Sequence, residues 1–392
     1  MLWKLIYLKI IFLIQNIIII SSIYKTFIQF KINMVNLTLN NKFIKEIYFI
    51  HKCLLKNNLI KFKRYNKPNL SIIIPVYNSE NYLMRLLQSI QNQKLKEIEI
   101  IFVDDCSKDN SSQLLNEYSK IDNRIILIKN NKNKGTLYSY VKGSLLSKGK
   151  YIMFLDHDDI LLSNLHLLYK ISKKYNKDIN DFSYIIGTIN EIKNEIKFND
   201  IEKFQPELSE TIFSKTYNWY THITQKIYKA NKVIRAFKTI KDEYLNAHLV
   251  IHGDTLLFIC ICIYSDSYKS YSNLYSQFYI QNNYSLSKYD FNNYNDIFRS
   301  VIYLVKYVYE LEHRSKELYN NHCEFAMNLF EWPLSLSKNN KFNIDNKFLF
   351  ETVNKFLDNK MINNKNINKI KTFKILIKKK TNIKLLRYFY IN

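Results

Sequence analysis

The sequence predicts an α/β protein built on an open, mostly parallel sheet flanked by helices. From Leu70 onward, short apolar runs alternate with amphipathic segments, and each run ends in a polar loop. Such alternation marks parallel strands joined by helical crossovers. Residues 71–74 are the first predicted strand, stopped by Pro75. Tyr82, Leu83, Leu86, Leu87 and Ile90 then recur at helical spacing, with Asn78 or Ser79 as the cap. Residues 98–103 form the second strand and run into Asp104 and Asp105, before a helix carrying Leu114, Leu115, Tyr118 and Ile121. Residues 125–128 are the third strand. A helix through Leu137, Val141 and Leu145 ends at Gly149, and residues 151–155 form a fourth strand that delivers Asp156-His157-Asp158-Asp159. In an open parallel sheet, ligands bind outside the carboxyl ends of the strands, so Tyr77, Asp105 and Asp158 are expected around one crevice. Beyond Ser163 the pattern predicts a helix to Tyr175, a strand over 184–192 and an apolar helix over 254–263.

The flanks read differently, and the chain divides into residues 1–69, 70–287 and 288–392. Residues 1–24 are apolar enough to approach a bilayer span, interrupted by Lys9, Gln15 and Asn16, and predict an uncleaved membrane anchor. Lys4 and Lys9 on one side face Lys25 and Lys31 on the other, which leaves orientation open. Endoplasmic reticulum or Golgi membranes are the expected location, with the cytoplasm as the alternative. Asn36-Leu37-Thr38 is a glycosylation acceptor only in the lumenal case. A basic helical linker over 25–67 precedes Pro68, and residues 290–392 read as helices followed by a Lys/Asn/Ile tail.

The net charge of +24 arises from 58 Lys and Arg against 34 Asp and Glu. The excess is spread among Asn, Ile and Tyr, as AT-rich codon usage produces, and no nucleic-acid motif accompanies it, so no nucleic-acid partner is expected. The five cysteines form no CxxC pair and predict neither a zinc site nor a disulfide scaffold.

Only five glycines occur, and none makes GxGxxG or GxxxxGK, which excludes two backbone cradles for phosphate. A carboxylate cluster holding Mg²⁺ or Mn²⁺ would neutralise phosphate instead, since these ions take a few hard oxygen ligands and leave positions for diphosphate. Asp156-His157-Asp158-Asp159 suits that role; a solvated helix cap before Leu161-Leu162 accounts for it too.

SIIIPVYNSENYLMRLLQSI, EIIFVDDCSKDNS, NKG followed by SKGKYIMFLDHDD, and HGDTLLF resemble, in order and spacing, the family 2 glycosyltransferases of GT-A fold. The resemblance covers about Leu70 to Ser287. It implies an inverting transferase that moves a sugar from a nucleotide-diphosphate donor, a UDP-sugar foremost, to a hydroxyl of a glycan, lipid or protein. By the same resemblance Pro75, Val76, Tyr77 and Glu80 line the nucleoside pocket. Asp105 accepts a hydrogen bond from the base, with Asp104 the weaker candidate. Asp156 and Asp158 hold ribose and diphosphate, and Asp158 or Asp159 ligates the metal. Asp254, opening a late helix, stands where the family has its catalytic base; helix capping accounts for that position equally well.

Two departures stand out. The family's Arg-Asn pair is replaced within Ser139-Tyr140-Val141-Lys142-Gly143, leaving Lys142 as a substitute cation, and its Glu-Asp pair at the base is Gly253-Asp254 here. They support an alternative, a catalytically silent GT-A domain that binds nucleotide or partner proteins. His248 and His252 would share a helix face as a metal pair, although the family's metal lies elsewhere. Trp219 and Tyr220 fall where acceptor-site residues often do, and Tyr271, Tyr275, Tyr279 and Tyr284 receive no role.

Overall fold

The computed structural model describes residues 64–187, 222–249, 251–280 and, in part, 300–310. Residues 1–24, the linker up to residue 63, Trp219, Tyr220, Tyr284 and nearly all of 288–392 lie outside the described residues. Among the described helices none is long and apolar enough to cross a membrane.

The predicted alternation forms one half of an eight-stranded sheet. Strands β1 (Leu70–Val76), β2 (Ile98–Asp104), β3 (Ile125–Lys129) and β4 (Tyr151–Phe154) are joined by helices α1 (Glu80–Gln91), α2 (Ser111–Ser119) and α3 (Thr136–Leu146). They pair in parallel in the order β3-β2-β1-β4. The order reverses at β1, and a crevice opens there at the carboxyl ends. The second half is β5 (Ile160–Leu161), α4 (Leu165–Tyr175), β6 (Ile179–Gly187), β7 (Lys226–Lys229), α5 (Ala230–Phe237), α6 (Asp242–Leu245), α7 (Gly253–Tyr264) and β8 (Tyr268–Ile280). It continues the sheet as β7-β6-β8-β5, with β7 antiparallel to both β4 and β6, and β5 antiparallel to β8. β6 and β8 run parallel.

Side chains alternate across a strand, and β1 shows the result. Ile72, Ile74 and Val76 join a core with Leu83, Leu86, Leu115 and Leu168 on one face of the sheet. Ile73 joins Ile101, Val103, Leu137, Val141 and Leu256 to Ile263 of α7 on the other. Gly143 allows the close approach of α3 to that second face. A Cβ there would stand 2.6 Å from Ile73 Cγ2 and 3.1 Å from Val103 Cγ2.

Several boundaries differ from the sequence expectation. Pro75 does not stop the first strand, which runs to Val76 with Pro75 opposite Val103. Neither Asn78 nor Ser79 caps α1 with its side chain. Asp109 and Ser111, from the β2–α2 segment, accept from the Glu80 and Ser79 backbone N–H groups at 3.0 and 2.7 Å. α3 ends three residues before Gly149, at Leu146. β6 begins at Ile179 rather than near Tyr184. Tyr271 is a core residue, stacked on Phe182 with ring centroids 5.1 Å apart.

Candidate active site

The carboxyl ends of β1, β2 and β4 open onto a pocket of about 500 Å³, closed opposite by residues 222–224 and the N-terminus of α7. Pro75, Val76, Tyr77 and Asp105 line one end of it. Tyr77 is 40% exposed on the turn after β1, so its ring is available for packing. Asp105 is buried: its Oδ1 accepts from Asn130 Nδ2 at 2.7 Å and Lys134 N at 2.8 Å, and its Oδ2 from Gly135 N at 2.6 Å. Glu80 and Asp104 do not reach the pocket wall. Glu80 accepts from the Asn110 side-chain amide at 2.9 and 3.0 Å, and the buried Asp104 accepts from Ser107 N at 3.0 Å, so both act as clasps of the β2–α2 loop.

The acidic segment after β4 divides. Asp156, His157 and Asp158 face the pocket, with the His157 ring 5.9 Å from Tyr82. Asp159 turns inward, where Gln277 Nε2 of β8 donates to its Oδ2 at 2.6 Å. Burial, and then the charges of Asp156 and Asp158, push the Asp159 carboxyl well above the usual range. Of the two expected metal ligands, only Asp158 faces the pocket. Among the described residues no three His, Cys, Asp or Glu side chains make a ready metal cage.

Tyr140, one of the two departures, lies at the centre of this arrangement. Its hydroxyl donates to Asp156 Oδ1 at 2.6 Å, and its ring packs edge-on against Phe154. Burial and the neighbouring Asp158 raise Asp156 to about 6, while the Tyr140 hydrogen bond pulls it back. Tyr140→Phe therefore moves the Asp156 titration above about 6, as carboxyl NMR would record; an unchanged or lower value would contradict this account. Lys142 does not replace the missing cation. Its ammonium donates to Asn130 Oδ1 at 2.7 Å and stays off the pocket wall.

Across the pocket Asp254 opens α7, with Oδ1 accepting from Thr255 N at 2.8 Å and Oδ2 lying 3.1 Å from His222 Nδ1. Burial pushes the Asp254 carboxyl up, yet the hydrogen bond and charge of His222 outweigh it and leave the group below its ordinary value. Gly253 packs closely on α3: a Cβ there would meet Leu137 Cβ at 3.3 Å, so a larger residue would require Leu137 to give by a few tenths of an ångström. His248 and His252 do not share a helix face. Both adopt left-handed backbone conformations before α7, and only His252 lines the pocket.

His222 was not legible as a site residue. It lies 32 residues from its partner Asp254, without any motif of its own, and only the turn into β7 brings the two together. Beneath it, Lys226 of β7 donates from Nζ to the His222 carbonyl at 2.8 Å. Lys226 is fully buried, 3.2 Å from Asp181 Oδ1 of β6, and Tyr268 of β8 donates to Asp181 Oδ2 at 2.6 Å. His222 is thus tied from below to three neighbouring strands.

Residues 71–238 match the model of glycosyl transferase family 2. The glycosyltransferase GlyA of Streptococcus pneumoniae is 39% identical over 111 residues, which are 28% of this chain and 16% of that protein. An uncharacterised glycosyltransferase of Haemophilus influenzae is 28% identical over 256 residues, covering 62% of this chain and 96% of its own length. The chain spans between 16% and 54% of the length of GlyA and three other curated relatives. Among solved structures, residues 1–349 of Staphylococcus aureus TarS in complex with UDP-GlcNAc superpose with a TM-score of 0.55 at 17% identity, covering 74% of this chain and 80% of that one. That likeness is one of fold, and the sheet order agrees with it: this chain carries a GT-A fold, within which residues 71–238 are a glycosyl transferase family 2 segment.

Proposed function

We propose that the chain transfers a sugar from a UDP-sugar to a hydroxyl of a glycan, lipid or protein acceptor, with inversion at the anomeric carbon. The observation that carries this reading is the facing of Asp156 and Asp158 across one pocket from the His222–Asp254 pair. Tyr77 would pack on the base. Asp105 Oδ2, with one bond made, keeps capacity to accept an N–H from it. The ribose and diphosphate would lie along Asp156 and Asp158.

The residues suit a divalent cation held jointly with substrate. Mg²⁺ and Mn²⁺ sites commonly use one or two carboxylates and complete their shell with phosphate oxygens and water. Asp158, with Asp156 beside it, supplies such a partial shell; burial is the main cause of the raised Asp156, and the Asp158 charge that adds to it is one a cation would offset. Bound there, the cation would offset charge on the departing diphosphate. The acceptor oxygen attacks the anomeric carbon from the opposite face, the bond to the diphosphate oxygen breaks, and the hydroxyl proton passes to the pair beside α7. Direct displacement of this kind inverts the centre.

A panel of UDP- and GDP-sugars, with UDP-GlcNAc first, tests the reading by thermal shift with and without Mn²⁺. A ligand at 100 times its Kd stabilises the native state by about 2.7 kcal/mol. The expected result is a uridine-selective shift that needs Mn²⁺, with release of UDP. Binding without turnover favours the silent domain that Tyr140 and Gly253 motivate, and no shift with any donor overturns the nucleotide-sugar assignment.

A further inference from the structure

We propose that His222 Nε2, rather than the Asp254 carboxylate, takes the acceptor's proton, and that Asp254 holds the imidazole in place; this rests on the transferase reading above. Asp254 is tied to its neighbours, Oδ1 accepting the Thr255 N–H and Oδ2 lying against His222 Nδ1, so the carboxylate keeps lone pairs but is held against the imidazole. A base needs a free lone pair aimed at the reacting hydroxyl. His222 has one. With Nδ1 turned to Asp254, its Nε2 has no partner among the described residues, and the side chain is 52% exposed at the pocket wall.

The surroundings favour the same division. The Asp254 hydrogen bond, opposed by burial, leaves the His222 imidazole above its ordinary value; Asp254 and Asp156 add to the rise, and Lys226 works against it. Asp254 is held below its ordinary value by the same contact and by His252, whose own ring burial keeps toward the neutral form. Asp181, the remaining nearby carboxyl, is committed to Lys226 and Tyr268. An imidazole whose proton affinity is raised is a better proton acceptor than a depressed carboxylate.

The imidazole is also anchored from below. Lys226, Asp181 and Tyr268 do not line the pocket, yet through the Lys226 bond to the His222 carbonyl they fix the backbone that carries the imidazole. In the step itself the acceptor O–H bond breaks toward Nε2. Its electron pair forms the new bond to the anomeric carbon, the old C–O bond leaves with the diphosphate, and Asp254 stays a carboxylate beside the imidazolium.

Hydrolysis of UDP-GlcNAc and UDP-glucose in Mn²⁺, with water as acceptor and UDP release as readout, tests this from about pH 5 to 9. The wild type is expected to lose rate toward acid, with a limb above the ordinary imidazole value. His222→Gln is expected to lose about 10²–10⁴-fold and the limb with it. Asp254→Asn is expected to keep a limb shifted to lower pH, and imidazole added to His222→Gly to restore UDP release. A His222→Gln profile with the wild-type limb, or a His222→Gly protein that still binds UDP-GlcNAc by thermal shift but is not rescued, overturns the assignment alone. A wild type that releases UDP from no donor overturns the transferase reading and this assignment together.

Discussion

Asp254→Asn is expected to lower UDP release from a UDP-sugar by about 10³–10⁴-fold at neutral pH while leaving donor binding nearly intact. The reason is local. The carboxylate contacts Thr255, through its backbone N–H and hydroxyl, and His222, and these contacts lie across the pocket from Asp156 and Asp158. An amide offers an N–H where His222 Nδ1 now meets an oxygen, which favours the wrong tautomer and removes the charge that would stabilise an imidazolium. The loss should therefore appear in kcat, with KM for the donor changed little. Steady-state kinetics with a thermal shift for UDP-GlcNAc check it. A large rise in KM with kcat preserved would instead place Asp254 in donor binding.

The second large effect concerns stability. Lys226→Met is expected to cost about 3–5 kcal/mol, because it leaves the buried Asp181 carboxylate without its cation. Burial already holds Asp181 above the usual carboxylate range against the opposing pull of Lys226 and the Tyr268 hydrogen bond. A carboxyl whose folded value lies above its unfolded one favours folding at low pH and works against it as pH rises through the folded value. Removing Lys226 raises that value further. The deficit should be largest at neutral pH and narrow as pH falls into the carboxylate range. Urea unfolding of the wild type and of Lys226→Met at several pH values measures it, and adding Asp181→Asn should recover part of the loss. An equal deficit at every pH would mean that lost packing against Phe258, not the stranded charge, sets the cost.

The parallel half of the sheet was legible because β1, β2 and β4 are buried along their length and read as mainly apolar runs. α7 was legible for the same reason. The antiparallel half was hidden by its own chemistry. β7 contains only Lys226, Ile227, Tyr228 and Lys229, and one of those lysines is buried for an ion pair that no local pattern announces. β8 shifts register against β6 between Phe182 and Tyr184, which breaks the alternation of its tyrosines. At the site, spacing located the acidic segment but not the direction of each side chain. Asp159 turns toward Gln277, which lies 118 residues away, and the inward turn depends on β8. Glu80 and Asp104 sit in the right segments, yet each finds a closer partner within the β2–α2 loop. Tyr140 and Gly253 were legible as departures; their partners Asp156 and Leu137 were not.

Residues 255–263 of α7 are buried without interruption, enclosed by α3, α5 and the described residues of 300–310. A helix so enclosed has no partial opening open to it short of breaking the second core, so its amide protons should exchange with solvent only when the whole fold opens. Asp254 rides on the first turn of that helix. Its aim across the pocket is then as durable as the native state itself, whereas Tyr77, on an exposed turn, can resettle with each nucleotide that arrives. Under the proposed roles, the fold keeps its proton-handling side permanent and leaves its adaptability to the nucleoside end.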